Sequence, residues 1–336
     1  MTHALPASPA ASAIPTIPTG IEVLAVAKLA PQYAALVGPA FTVHDRLHDT
    51  DPTALAAAAP RIRAIAASGE SRVSAALIAQ LPALEIISVM GVGYDGIDVA
   101  AAKARGVVVT HTPDVLNDDV ADLAIGLMLS TARQLPAADR FVRAGQWPQG
   151  PMPLARKLSG ARLGIVGMGR IGQAIAQRAL AFNMTIAYTA RSAKPALPWR
   201  YLPTPEALAA ESDVLVVITP GGAGTRHLIN AAVLAALGRS SSHKGILVNV
   251  ARGSVVDEDA LIAALESGAL GGAGLDVFAD EPLVPERLRA LPQVVLTPHI
   301  GSATGQTRQA MADLAFANLR AKFTAQPLPT PVPECR

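Results

Sequence analysis

At 336 residues the chain has room for about two domains of ~150 residues, each with its own core. Hydrophobic residues make up 51% and charged residues 16%, against roughly 25% charged in an average globular protein, which excludes disorder and coiled coil for most of the length. Lys plus Arg is 28 and Asp plus Glu is 26, a net charge of +2, and no basic run of five or more occurs, so nothing points to nucleic acid.

The first 21 residues carry no Asp, Glu, Lys or Arg. Pro6, Pro9, Pro15 and Pro18 break the stretch, and no cationic start precedes an unbroken apolar core. Residues 1–20 therefore read as a flexible tail rather than a signal or a membrane anchor. The apolar run Leu123–Ala132 is ten residues long, about half of what a bilayer needs. The single cysteine, Cys335, excludes a disulfide framework, and no metal-ligand spacing of His or Cys is present. A reducing, cytoplasmic compartment fits best.

After the tail, Ile21–Ala27 reads as a strand, Arg61–Ala67 as another, Ser74–Leu81 as a helix and Glu85–Met90 as a strand closing at Gly91. Asp98–Arg105 is a short helix stopped by Gly106, and Val107–Thr110 a strand. This alternation predicts parallel α/β construction. Asp114–Gln134 carries the longest helical pattern, with Val120, Leu123, Ala124, Leu127 and Met128 on one face and Asn117 or Asp118 as cap. A less regular stretch runs from Leu135 to Leu158, with Trp147 and Pro148 as candidates for a subunit contact or a lid. From Ala161 a second βαβ pattern begins. Its strands, Leu163–Val166, Thr185–Thr189, Asp213–Thr219, Gly245–Val250, Gly272–Asp276 and Val294–Thr297, are almost continuously apolar, as in a parallel sheet covered on both faces. A helix over Ala303–Phe323 and a proline-rich tail over Pro327–Pro333 complete the chain.

Gly167-Met168-Gly169-Arg170-Ile171-Gly172 lies directly between an apolar strand and the helix predicted over Gln173–Phe182. In that setting the first glycine allows the tight turn, the second lets a pyrophosphate approach the backbone, and the third lets helix pack on strand. The unpaired N–H groups of the helix N-terminus then face the phosphates. An NAD-selective site would place an acid at the end of the next strand. Here the sequence is Thr189-Ala190-Arg191-Ser192, with Lys194 beyond. A guanidinium holds a 2′-phosphate that a carboxylate would repel, so NADP(H) is favoured and NAD(H) is the alternative.

Arg252, Glu281 and His299 each follow a predicted strand at its C-terminal end, where open α/β sheets place ligands. The stretches GVGYDGID (91–98), TPDVLNDDVADLAIGLML (112–129), GMGRIG (167–172), NVARGSVVDEDAL (249–261), GGAGLDVFADEP (271–282) and TPHIGSAT (297–304) together resemble the D-isomer-specific 2-hydroxyacid dehydrogenase family over nearly the whole chain after residue 20. YTARS and VVITPGGAGTRHLIN (216–230) look most like its glyoxylate/hydroxypyruvate and hydroxyphenylpyruvate reductase branch.

The resemblance implies two Rossmann-like or flavodoxin-like parallel-sheet domains, the cofactor domain (117–303) inserted into a discontinuous substrate domain (21–116 plus 304–336), in a homodimer with contacts from 118–158. It implies that Arg252 holds the carboxylate and keto oxygen of a small 2-keto acid. His299 then protonates the carbonyl as hydride arrives from the nicotinamide, and Glu281 orients the imidazole and raises its pKa. Backbone N–H groups of Val92 and Gly93 bind the carboxylate from the opposite lobe. Asp276 meets the nicotinamide carboxamide, while Thr219, Pro220, Thr225, Val250, Ala251 and Gly301 line the cofactor cleft. Ser302 helps to hold the His299 loop, His111 and His227 are structural or peripheral, and Asp95 and Asp98 shape and cap a turn. Loops near Ser68–Gly69, Tyr94 and Met152–Leu154 set substrate size. A cofactor-sensing binding protein, and a formate- or phosphite-oxidising relative, are the competing readings.

Overall fold

The computed structural model describes residues 16–241 and 243–336, so most of the tail expected over 1–20 lies outside the described residues. Two compact units are present. One takes the chain up to Met90, Ile97–His111 and Ala312–Arg336. Its strands β1 (Glu22–Ala25), β2 (Thr42–Asp45), β3 (Ile62–Ser68), β4 (Ile86–Met90) and β5 (Val108–Thr110) pair in parallel in the order β2-β1-β3-β4-β5. All five residues of β4 are buried, which is why its sequence, apart from Ser88, is apolar without alternation. At the edge, β2 exposes three of its four residues. Its Thr-Val-His-Asp sequence carries little strand signal and passes unnoticed in the sequence.

The Pro327–Pro333 stretch is not a loose tail. Val332 is fully buried and its N–H donates to Val109 O at 3.0 Å. Thr330 donates its hydroxyl to His111 O at 2.6 Å and accepts from Asn318 Nδ2 at 2.8 Å. His111, 8% exposed, is thus a structural residue whose N–H also donates to Thr330 O.

The second unit comprises Gly91–Gly96 and Thr112–Met311. Its strands β6 (Arg162–Val166), β7 (Thr185–Thr189), β8 (Arg200–Tyr201), β9 (Val214–Val217), β10 (Ile246–Asn249), β11 (Gly272–Leu275) and β12 (Val294–Leu296) form a parallel sheet ordered β12-β11-β10-β9-β6-β7-β8. This is the doubly wound arrangement extended by one strand, and its chain order reverses between β6 and β9. Ligands of such sheets bind beyond the carboxyl ends of the strands at that switch. Leu215, Val217, Leu247 and Ala273 anchor the core on one face. On the other, the Asn117–Arg133 helix buries Val120, Ala124, Leu127 and Met128. It lies so close to β11 that a Cβ on Gly274 would stand 2.9 Å from Thr131 Oγ1 and 3.0 Å from Leu127 Cβ.

The irregular stretch expected from Leu135 contains a helix, Leu135–Arg143, with Pro136 in its first turn and no buried residue. A proline at that position is itself a helix-start signal. Among the described residues no helix is long and apolar enough to cross a membrane.

Asp213, at the foot of β9, holds two segments together. Its carboxylate accepts from Arg162 N, Nε and Nη2 at 2.8, 3.1 and 3.0 Å and lies 3.4 Å from Arg156 Nη2. Burial pushes this carboxyl up, but the Arg162 bonds and charge outweigh it and hold the group well below the usual carboxylate range. Asp213→Ala leaves two guanidinium groups without their shared anion, and breaking such a pair costs about 3 kcal/mol. Melting followed by circular dichroism is expected to fall by roughly 6–12 °C at pH 7. Because the folded-state pKa is depressed, this contribution is present above the unfolded pKa and is lost as pH falls towards the folded one. The gap between wild type and variant therefore narrows in acid.

Candidate active site

The glycine turn after β6 is built from sterics. Gly167 has φ 106°, and a Cβ there would stand 2.5 Å from Ile218 O and 3.0 Å from Thr219 N. The turn thus abuts the loop after β9. A Cβ on Gly172 would overlap Gly167 O, whereas one on Gly169 would meet nothing within 4 Å. Gly169 is the N-cap of the Arg170–Leu180 helix and offers no side-chain cap, so the first N–H groups of that helix are left for an acceptor outside the protein. This open, donor-rich cradle fits a dinucleotide pyrophosphate. Met168 is buried, and Arg170 pairs with Asp114 at 2.9 Å. The helix begins three residues before the expected Gln173.

Beyond β7, Thr189 is 5% exposed and accepts at its carbonyl from Gly167 N, while Arg191 and Ser192 are exposed. Among the described residues no acid is paired with Arg191. Two tyrosines that the sequence reading passed over shape this loop. The Tyr188 hydroxyl accepts from Lys194 N at 2.7 Å, and the Tyr201 hydroxyl donates to Ala190 O at 3.4 Å. Thr225, in turn, donates its hydroxyl to Pro220 O at 2.7 Å and steadies the loop after β9.

Arg252 follows β10. Its Nη1 donates to Ala251 O at 2.8 Å and its Nε lies 3.3 Å from Asp95 Oδ1. A Cβ on Gly93 would overlap its Nη2, so the guanidinium lies directly against the Gly93 backbone. The Gly91–Gly96 loop groups with the unit of the seven-stranded sheet, and Asp95 is ion-paired to Arg252 within it. Asp95 thus does more than shape a turn, whereas Asp98 caps its helix as expected, accepting from Ala101 N at 2.9 Å.

His299 follows β12 in a left-handed conformation, φ 52°, and its Nδ1 is 2.7 Å from Glu281 Oε2. The other carboxylate oxygen, Oε1, accepts from Phe278 N at 2.9 Å. Burial pushes the Glu281 carboxyl up, but the bond to His299, its charge, the Phe278 N–H and the charge of Arg252 more than offset this, and the net shift is downward. Glu281 is thus an ionised group that feels both Arg252 and His299. The loops carrying them are pressed together, for a Cβ on Gly253 would overlap the Phe278 backbone.

Asp276, 2% exposed, was expected to face the carboxamide of a nicotinamide. Its carboxylate also grips the His299 loop, accepting from Thr297 Oγ1 at 2.7 Å and from Ile300 N and Gly301 N at 2.8 Å each. His299 N donates to the Asp276 carbonyl. Burial raises this carboxyl, and the three donors offset only part of the effect. The latch on the His299 loop is therefore Asp276; Ser302 makes no side-chain hydrogen bond among the described residues. His227 stands apart, 3.9 Å from Asp257. Thr219 is half-buried, and Val250 and Ala251 are buried at the head of β10.

Residues 125–301 match the family described as D-isomer specific 2-hydroxyacid dehydrogenase, NAD binding domain. The chain is 51% identical over 271 residues to glyoxylate/hydroxypyruvate reductase A of Arabidopsis thaliana, covering 81% of this chain and 85% of that one. It is 42% identical over 311 residues to 2-ketogluconate reductase of Gluconobacter oxydans, covering 93% and 98%. An NADPH-dependent glyoxylate/hydroxypyruvate reductase from Sinorhizobium meliloti, solved in complex with NADP and malonate, matches with a TM-score of 0.88 at 44% identity, covering 94% of this chain and 98% of that one.

Proposed function

The chain belongs to the D-isomer specific 2-hydroxyacid dehydrogenase family, and from that premise we propose that its substrates are small 2-keto acids, glyoxylate and hydroxypyruvate foremost. It is an enzyme that reduces 2-keto acids with NADP(H). In our reading the seven-stranded unit is the cofactor domain and the five-stranded unit the substrate domain. When bound, the reduced nicotinamide supplies the hydride; the protein supplies grip, orientation and the proton.

The observation that carries this reading is the joint hold of one carboxylate, Glu281, on His299 and, through its charge, on Arg252. A 2-keto acid needs a cation for its carboxylate and a proton donor for its carbonyl. Arg252 offers paired N–H donors to the first. With Nδ1 engaged by Glu281, His299 gives its proton from Nε2 to the second. The Glu281 carboxylate held at Nδ1 favours the imidazolium, which is the form that can act as an acid. Asp276 and the left-handed backbone at His299 fix where that ring starts. The glycine cradle and the exposed Arg191 take the pyrophosphate and the 2′-phosphate.

Rates of NADPH oxidation with glyoxylate, hydroxypyruvate, hydroxyphenylpyruvate and 2-ketogluconate test the substrate assignment. Turnover highest with the two smallest acids supports it, and no turnover with any of the four overturns it. For the cofactor, Arg191→Ala is expected to raise the KM for NADPH about tenfold, the worth of a charge-assisted hydrogen bond, and to leave the KM for NADH unchanged. Equal effects on both would remove the 2′-phosphate role.

We also read the protein as a homodimer. The Leu135–Arg143 helix buries none of its residues, and Leu135, Val142, Trp147 and Leu154 expose their apolar side chains in one stretch of chain, a pattern that marks association surfaces. The single cysteine keeps the cytoplasm as our reading for the compartment.

A further inference from the structure

We propose that Asp95 is a positioning residue for the reaction, holding the Arg252 guanidinium in the plane from which it receives the substrate carboxylate. This rests on the reading of Arg252 given above. Two segments distant in sequence meet at this point. Asp95 Oδ1 is ion-paired with Arg252 Nε at 3.3 Å, Nη1 donates to Ala251 O at 2.8 Å, and Nη2 lies against Gly93. With Nη1 hydrogen-bonded, Nε ion-paired and Nη2 against backbone, the guanidinium is restricted in turning about its long side chain. The ordering entropy of an arginine is thus lost on folding rather than on binding, and preorganisation of that kind favours affinity.

The glycines around the pair give an independent sign that the slot is made for it. A Cβ on Gly93 would overlap Arg252 Nη2 and stand 3.1 Å from Asp95 Oδ1; one on Gly221 would stand 2.6 Å from Asp95 Oδ2 and 3.0 Å from Arg252 Cγ. Neither glycine has the left-handed φ that would itself call for glycine. Space for the Asp95–Arg252 pair is what both positions provide. The side chains are 27% and 22% exposed, and an ion pair so placed adds little stability. Its value lies in geometry.

The test uses the purified full-length enzyme with NADPH and hydroxypyruvate, and follows KM and kcat together with NADPH affinity by fluorescence titration. Asp95→Ala is expected to raise the KM for hydroxypyruvate by at least about tenfold, since misplacing a binding group by ~1 Å has effects of that order or larger. The fall in kcat is smaller, and NADPH affinity is unchanged. Asp95→Asn keeps an acceptor oxygen for Nε and restores most of the KM. Gly221→Ala, which displaces Oδ2, reproduces Asp95→Ala. Adding Asp95→Ala to Arg252→Ala has no further effect on KM, because both act through one contact. An unchanged KM in Asp95→Ala, an Asn variant no better than Ala, or a parallel loss of NADPH affinity would each overturn the proposal. The Arg252→Ala arm separates the two readings. If it raises KM while Asp95→Ala does not, only the role of Asp95 falls; if it leaves KM unaltered, the assignment of Arg252 itself falls.

Discussion

His299→Ala is expected to lower kcat for glyoxylate reduction by about 10²–10⁴-fold, the usual worth of a placed general acid, with NADPH affinity retained. The reason is positional. The imidazole is fixed by Glu281 at 2.7 Å and by a backbone that Asp276 grips on both sides of it, at Thr297 and at Ile300 and Gly301. Steady-state rates and cofactor titration on the same preparation check both halves, and a variant that turns over at the wild-type rate would refute the role. The sign of the pH dependence follows. Reduction needs the imidazolium, so the rate falls as pH rises. Glu281→Gln removes the charge that favours the imidazolium and moves that fall to lower pH.

The second large effect separates two glycines that look equivalent in the motif. Gly169→Ala is expected to melt like the wild type, because its Cβ would meet nothing within 4 Å and φ −77° suits any residue. Its NADPH affinity is expected to fall about a hundredfold, since charge-assisted hydrogen bonds from the helix N-terminus, ~1.5–3 kcal/mol each, are held off by a methyl group. Gly172→Ala drives its Cβ into Gly167 O. Overpacking of this kind costs about 1–3 kcal/mol, seen as a lower melting temperature before any ligand is added. Differential scanning calorimetry with cofactor titration distinguishes them. Equal melting losses in both variants would contradict the assignment of Gly169 to binding.

Much of this was legible in the sequence, for identifiable reasons. The strands of the cofactor unit are covered on both faces and so announce themselves as apolar runs; β7 coincides with the expected Thr185–Thr189. Arg252 and His299 stood out as candidates because each closely follows such a run, whereas Glu281 lies six residues beyond β11 and is joined to His299 by tertiary contact. What was not legible depends on tertiary contact. Strand β2 lies at an edge and has no apolar pattern to show. The burial of Val332 requires the Val109 carbonyl, more than two hundred residues earlier. Asp95 reads locally as a turn residue, and only the packing of its loop against Arg252 gives it a partner. The hydroxyl of Tyr188 is similar: within its strand it is one more buried aromatic, and its bond to Lys194 N exists only because the chain turns back. The Leu135–Arg143 helix carried a usable signal in Pro136 that the surrounding Gly, Pro and Trp residues obscured.

The Asp276 latch carries one more implication. A single buried carboxylate gathers a hydroxyl and two amide hydrogens from residues on either side of His299. The side chain expected to meet the nicotinamide carboxamide and the one that seats the proton donor are thus the same, so a substitution at Asp276 disturbs both ends of the hydride path together.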